Sequence, residues 1–242
     1  MSGERGKFLT AEWRYLAMIN YEIDPAILIP YVPGGTELDS WNCKTFVSIV
    51  GFLFLHTKVM GLSIPFHRDF EEVNLRFYVR RKGKEGWRRG VAFVKEIVPK
   101  RAVATVARAV YKENYIWAPM RHRIEMESGS LKKNGSVEYA WRCKGRWNNL
   151  RVKTIGNPQA AAVGLAEEFI TEHYWGYAAR RDGGCVEYKV EHSPWLIWQV
   201  GESSLNCDLA EVYGSEFVNC LSSVPSFAFL AEGSPVIIRM KT

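Results

Sequence analysis

Three groups of side chains in this chain could do chemistry. The first is Glu72, Asn74, Arg76 and Tyr78: a carboxylate, an amide, a guanidinium and a phenol at every second position. A spacing of two puts side chains on one face of a strand, roughly 6.5–7 Å apart. Such a row can hold an anionic or carbonyl ligand, with Arg76 as the two-pronged donor. On an open sheet the same row is a solvent face of cross-strand pairs. Inside a curled sheet it lines a pocket, and the spacing alone does not choose.

The second group runs from Glu96 to Arg101, where Lys100 follows Pro99 and precedes another cation. A lysine amine is nucleophilic when neutral, a state that an adjacent cation such as Arg101 favours. A solvated lysine at a helix start carries the same tripeptide. The third group is Glu172 to Tyr177, six residues with a carboxylate, the His173 imidazole and three aromatics. His173 could bind substrate or move a proton near neutrality. The plainer reading is a helix end with its aromatics in the core. His67, His122 and His192 show no metal-ligand spacing. No glycine-rich phosphate loop, nucleophile elbow or Cys/His pair appears, so no metal and no cofactor is expected.

These residues need rigid elements to hold them. From Glu72 to Arg80 polar and apolar residues alternate, with Val73, Leu75, Phe77 and Val79 on the second face, which makes a strand. Arg81 to Gly86 supplies turn chemistry. A return strand runs from Trp87 to about Val98 and stops at Pro99. Earlier in the chain, Trp13 to Ile23 reads as a strand. Asp24-Pro25 reads as a helix start, with Pro30 limiting the helix to two turns. Thr45 to Lys58 is a buried strand. The apolar spacing of residues 100–112 predicts a helix on the sheet. Asn134-Gly135 predicts the turn of a hairpin within 125–152. Asn157-Pro158 predicts a helix from there to about Thr171. Gly183-Gly184 turns a hairpin. Trp195 to Val200 and Ala228 to Met240 add strands, and Asp208 to Asn219 is expected to be helical. With no linker or repeat, residues 1–242 read as one domain of antiparallel β with a few helices.

At 242 residues, 47% hydrophobic and 24% charged, the composition is that of a globular protein. Aromatics reach 13%, enough for large pocket walls. The net charge of +6 is dispersed, which permits nucleic-acid contact without arguing for it. The basic turn from Arg80 to Arg89 reads as solvated, and no nucleic-acid partner is expected. Five unpaired cysteines fit a reducing cytoplasm. The start, Met1 to Leu9, has no apolar run, so no signal peptide is expected. The longest apolar run, Phe46 to Leu55, falls short of the ~20 residues that span a bilayer. No membrane partner is expected, and the oligomeric state is not legible.

Several long stretches carry a resemblance: Tyr21–Asp39, Ile64–Val79, Arg88–Tyr115, Phe169–Tyr177 and Phe229–Ser234. Together they resemble the YqjF-like family of uncharacterised proteins, in the acetoacetate-decarboxylase-like superfamily. The resemblance implies a curled antiparallel sheet closed into a cone or barrel, with a ligand cavity inside. It also implies that the polar face of the Glu72–Tyr78 row looks into that cavity. Decarboxylases of this superfamily form a Schiff base from a lysine beside a second lysine, after a glutamate-bearing strand and a proline. Lys100 takes that place here, with Arg101 as its neighbour, and Ser48 falls where a pocket carboxylate is expected. The resemblance implies that a neutral Lys100 would attack a ketone or aldehyde, with Glu96 orienting the amine. The expectation is a cytoplasmic protein whose polar cavity takes a small carboxylate or oxo-acid ligand. Schiff-base chemistry at Lys100 is one outcome. A non-catalytic small-molecule-binding or assembly module on the same fold is the other.

Overall fold

The computed structural model describes residues 5–110, 114–180 and 182–241. In chain order it contains β1 (Arg5–Glu22), α1 (Pro25–Leu28, followed by a 3-10 turn), β2 (Glu37–Leu38), β3 (Phe46–Val59), β4 (Phe70–Gly83) and β5 (Gly86–Val98). Next come α2 (Arg101–Val110), β6 (Tyr115–Trp117), β7 (Met120–Ile124), β8 (Met126–Glu127), β9 (Ser130–Leu131), β10 (Ser136–Cys143) and β11 (Arg146–Ala160). The chain ends with α3 (Ala166–Thr171), β12 (Trp175–Ala179), β13 (Cys185–His192), β14 (Leu196–Asn206), α4 (Leu209–Tyr213), α5 (Val218–Leu221) and β15 (Phe227–Lys241).

Seven strands close into a barrel in the order β1-β3-β4-β5-β12-β13-β15, with β15 pairing back onto β1. The pairs are antiparallel except β5–β12. Closure removes sheet edges and gives every barrel strand an inside and an outside. Strands β14, β11, β10 and β7 continue from β15 and form a second layer. That layer explains why β4 is buried on both faces. Val73, Leu75, Phe77 and Val79 point outward and share a core with Tyr139, Trp141, Leu150 and Val152 of β10 and β11. The layers approach so closely at Gly51 that a Cβ there would lie 2.6 Å from the Tyr139 ring.

The β4–β5 hairpin, the Asp24 cap of α1 and the 183–184 turn form as the sequence predicts. Two elements differ. The helix expected from Pro158 begins only at Ala166. Asn157-Pro158 instead sits in a bulge of β11, where the register to β14 jumps between Ile155 and Gln159 and Gly156 turns to φ +71°. A proline is tolerated there because the bulge asks no ladder hydrogen bond of it. The second difference is the turn of the β10–β11 hairpin, which is Lys144-Gly145, with φ 42° and 85°, not Asn134-Gly135. Asn134 does take a left-handed φ of 57°, but at the entry to β10. Helix α2 forms as predicted, and residues 111–112 of the expected span lie outside the described residues.

Candidate functional site

The barrel holds a cavity of about 270 Å³, near the lower end of the ~300–1,000 Å³ typical of ligand sites. Its walls are mostly aromatic. Trp13 packs edge-on against Phe52, Phe54 and Trp195, and Phe54 stacks on Phe70 at 4.8 Å. Glu72, Asn74 and Arg76 form a polar stripe down this wall. Three two-residue steps separate Phe70 from Arg76, so the lined length along β4 is roughly 20 Å. Helices α2 and α3 close the barrel, contributing Ala102 and Val103, and Ile170 and Thr171. Among the lining residues, Ile64 and Ala102 are the exposed ones. The mouth therefore lies between the β3–β4 loop and the first turn of α2.

All four residues of the expected row are buried, with Glu72, Asn74, Arg76 and Tyr78 3%, 2%, 8% and 0% exposed, but of these only Glu72, Asn74 and Arg76 line the cavity. Tyr78 sits behind Arg76, whose Nε donates to its hydroxyl at 3.4 Å. Tyr78 in turn meets Ser48 Oγ at 2.6 Å, and Ser48 donates to Asn20 Oδ1 at 2.6 Å. Because Ser48 spends its proton on Asn20, Tyr78 must donate to Ser48, leaving the phenol oxygen free to accept from Arg76. The other Arg76 contacts are long: Met18 Sδ at 3.7 Å and the Ile170 carbonyl at 3.5 Å. Among the described residues Arg76 has no ion pair. Asn74 has turned to Glu72 instead, donating to Oε1 at 2.9 Å, while Tyr115 donates to Oε2 at 3.2 Å.

Burial drives the Glu72 carboxyl up to about 7, against the hydrogen bonds from Asn74 and Tyr115 and the charge of Arg76. Glu96, 1% exposed, lines the cavity across the ladder from Asn74. His173 also lines it, against the Tyr78 ring at 4.7 Å. Burial lowers His173 to about 4, so it is neutral at ordinary pH. Its Nε2 lies 3.6 Å from Asp39 Oδ2, longer than a hydrogen bond. Neither ring nitrogen has a hydrogen-bond partner among the described residues. Burial opposes ionisation of Asp39, but the hydrogen bond and charge of the Arg89 guanidinium, 2.7 Å away, hold it down at about 2.

Lys100 is placed elsewhere. It is half-buried, does not line the cavity, and its charge acts on Glu71, which alternates to the opposite face of β4 from Glu72. Pro99 ends β5 and the chain turns outward, so α2 presents Ala102 and Val103 to the cavity. Among the described residues no lysine lines it. Sequence reasoning missed Asp39, Arg89 and Tyr115. Asp39 reaches His173 only because β2 pairs with β4, a contact that no local pattern announces.

A seven-stranded barrel with a polar row inside and a strand layer outside is the acetoacetate-decarboxylase-like fold. Residues 10–235 match the DUF2071 model, described as an uncharacterized conserved protein, and the chain belongs to that family. It is 27% identical over 189 residues to the uncharacterized protein YqjF of Bacillus subtilis, covering 76% of this chain and 73% of that one. Acetoacetate decarboxylase from Legionella pneumophila superposes with a TM-score of 0.64 at 13% identity, covering 99% of this chain and 87% of that one. The enduracididine biosynthesis enzyme MppR complexed with pyruvate superposes with a TM-score of 0.64 at 11% identity, covering 99% and 90%. No described helix is long and apolar enough to cross a membrane.

Proposed function

We propose that the barrel binds a small carboxylate or oxo acid with an apolar, ring-bearing body, and that Glu72 and His173 handle a proton at its polar end. One observation carries this reading: Arg76 is 8% exposed at a cavity wall and has no ion pair among the described residues. A buried charge without a counterion is costly, and an anionic ligand would supply one. The aromatic walls suit the ligand's body. A carboxyl that titrates near 7 can give or take a proton at neutral pH. The pyruvate in MppR, a 2-oxo acid, is of the same ligand class. Imine formation at Lys100 is not part of this reading, because Lys100 lies off the cavity. The ligand-binding alternative and the proton-handling one share the same anchor.

The test is calorimetric titration with 2-oxo acids, 3-oxo acids and aryl carboxylates, each beside its neutral amide, against wild type and Arg76→Met. Losing one partner of a desolvated charge pair costs ~2–5 kcal/mol, a drop of about thirtyfold or more. Acids should bind wild type and lose that affinity in the variant. Amides binding as well as acids would discard the carboxylate reading.

A further inference from the structure

The loop from β3 to β4 displays apolar side chains at the cavity mouth. Met60, Leu62, Ile64 and Phe66 are 74%, 72%, 46% and 88% exposed. Exposure of four large apolar groups within seven residues is more than the scattered singles of an ordinary surface. The backbone adds to the oddity. Val59 and Leu62 bond reciprocally around a two-residue turn, Met60-Gly61, with φ of 51° and 81°. Asn-Gly or Gly-Gly is the preferred pair there, yet a methionine holds the left-handed position. Phe66 takes φ 62°, a conformation that disfavours bulky residues. The chain accepts strain at two places where the side chain reaches into solvent.

Cations surround this tip. Lys58 and Arg68 flank it in sequence, and the Met60 amide bonds the Phe8 carbonyl, bringing exposed Lys7 alongside. The nearest flanking carboxylate, Asp69, is turned to accept from the His56 amide at 2.7 Å. An apolar tip ringed by cations matches the interface of an anionic bilayer: the side chains enter the acyl boundary while the cations meet headgroups. We propose that the 60–67 loop docks this protein on an anionic lipid surface. Ile64 and His67 also line the cavity, so docking would hold the mouth against the lipid. This is contact at a surface, not a crossing, and it revises the expectation of no membrane partner. It stands whether or not the cavity takes a carboxylate.

The test is co-sedimentation of the full chain with phosphatidylcholine vesicles, with and without phosphatidylglycerol, at low and high salt. Wild type should bind the anionic vesicles and release in salt. Leu62→Glu with Phe66→Glu should fall to background. Lys58→Ala with Arg68→Ala should lose about fivefold affinity per cation. All these positions are exposed, so unchanged thermal melting checks folding. Phe66→Trp gives a second readout, a blue shift of emission on anionic vesicles. Equal sedimentation of wild type and the glutamate variant would overturn the proposal. So would a wild-type dimer that the glutamates split in light scattering, with no vesicle binding: the loop would then meet a second copy.

Discussion

The polar wall of the cavity and the loop at its mouth both depart from what stability alone would choose, and they do so in opposite currencies. At the wall the backbone is extended strand, with one bulge in β5 opposite Leu75 and Arg76, and the cost is electrostatic: a guanidinium and two carboxylates lie in a mostly apolar barrel. At the loop the charges are solvated and the cost is conformational, with Met60 and Phe66 in left-handed backbone and their side chains in water. Departures of this kind gather where a protein works. The difference separates two roles. A wall of rigid strands can fix a reacting or anchoring group to within fractions of an ångström, whereas a strained loop with apolar side chains is suited to meeting something soft.

The wall's electrostatic cost is the larger effect and can be removed at Glu72. The folded carboxyl sits at about 7 and the unfolded one at 4.5. Between those values the folded state holds the extra proton, so Glu72 makes stability fall as pH rises from 4.5 to 7. His173 acts in the other direction. Its folded value of about 4 lies below the unfolded 6.5, so the unfolded state binds more protons in that window and stability rises with pH. In wild type the two slopes oppose each other. Glu72→Gln keeps the shape and removes one slope, leaving a stability that climbs to about pH 6.5 and then stays flat. Above pH 7 it should exceed wild type by on the order of 3 kcal/mol. Urea denaturation across this range checks it, and parallel profiles for the two proteins would remove the electrostatic account of the wall.

The loop's cost is smaller and is removed by Met60→Asn, which installs the preferred Asn-Gly pair in the 59–62 turn. Relief of left-handed strain should raise stability by ~1 kcal/mol, read as a higher urea midpoint with an unchanged slope. The same variant should weaken vesicle binding, because it deletes one of the displayed apolar groups. A stability gain with no loss of vesicle binding would leave the strain unexplained by docking.

How much of this was legible in the sequence follows from which interactions are local. The β4–β5 hairpin was readable because alternation and turn residues lie within one stretch. That the outer face of β4 would be covered was expected, but not by what, since the cover comes from β10 and β11, which begin more than fifty residues after β4 ends. Asn157-Pro158 misled because a cap and a bulge ask the same thing of a proline, a position where no amide is needed, and only the pairing with β14 distinguishes them. At the site, Glu72, Asn74 and Arg76 were found from period two. Whether Arg76 has a counterion depends on where Asn74 and Tyr115 lead Glu72, and that geometry is long-range. The exposed loop was passed over because nothing local to Met60, Leu62, Ile64 and Phe66 distinguishes displayed apolar side chains from buried ones.

Lys100 provides the smallest and sharpest check. The Pro-Lys-Arg context made it the candidate amine, and its placement beside the mouth, on the side of Glu71, takes it out of the cavity. If the wall is the chemical region and the mouth only a rim, Lys100→Ala should change little. Ligand affinity should stay within about twofold, and stability within ~0.5 kcal/mol, as for a surface substitution that breaks no buried network. Borohydride treatment with 2- and 3-oxo acids, followed by mass mapping, should give the same result for wild type and variant. The same substitution also removes a cation near Glu71, whose carboxyl burial would raise but for His122, its own backbone and the charge of Lys100. His122, at 2.7 Å from Glu71 Oε1, is the nearer partner and should hold Glu71 low alone. A borohydride adduct present in wild type and absent in Lys100→Ala would invert the comparison. The amine would then reach the ligand, the turn at Pro99 would have to move inward, and the reacting end of the cavity would be its mouth.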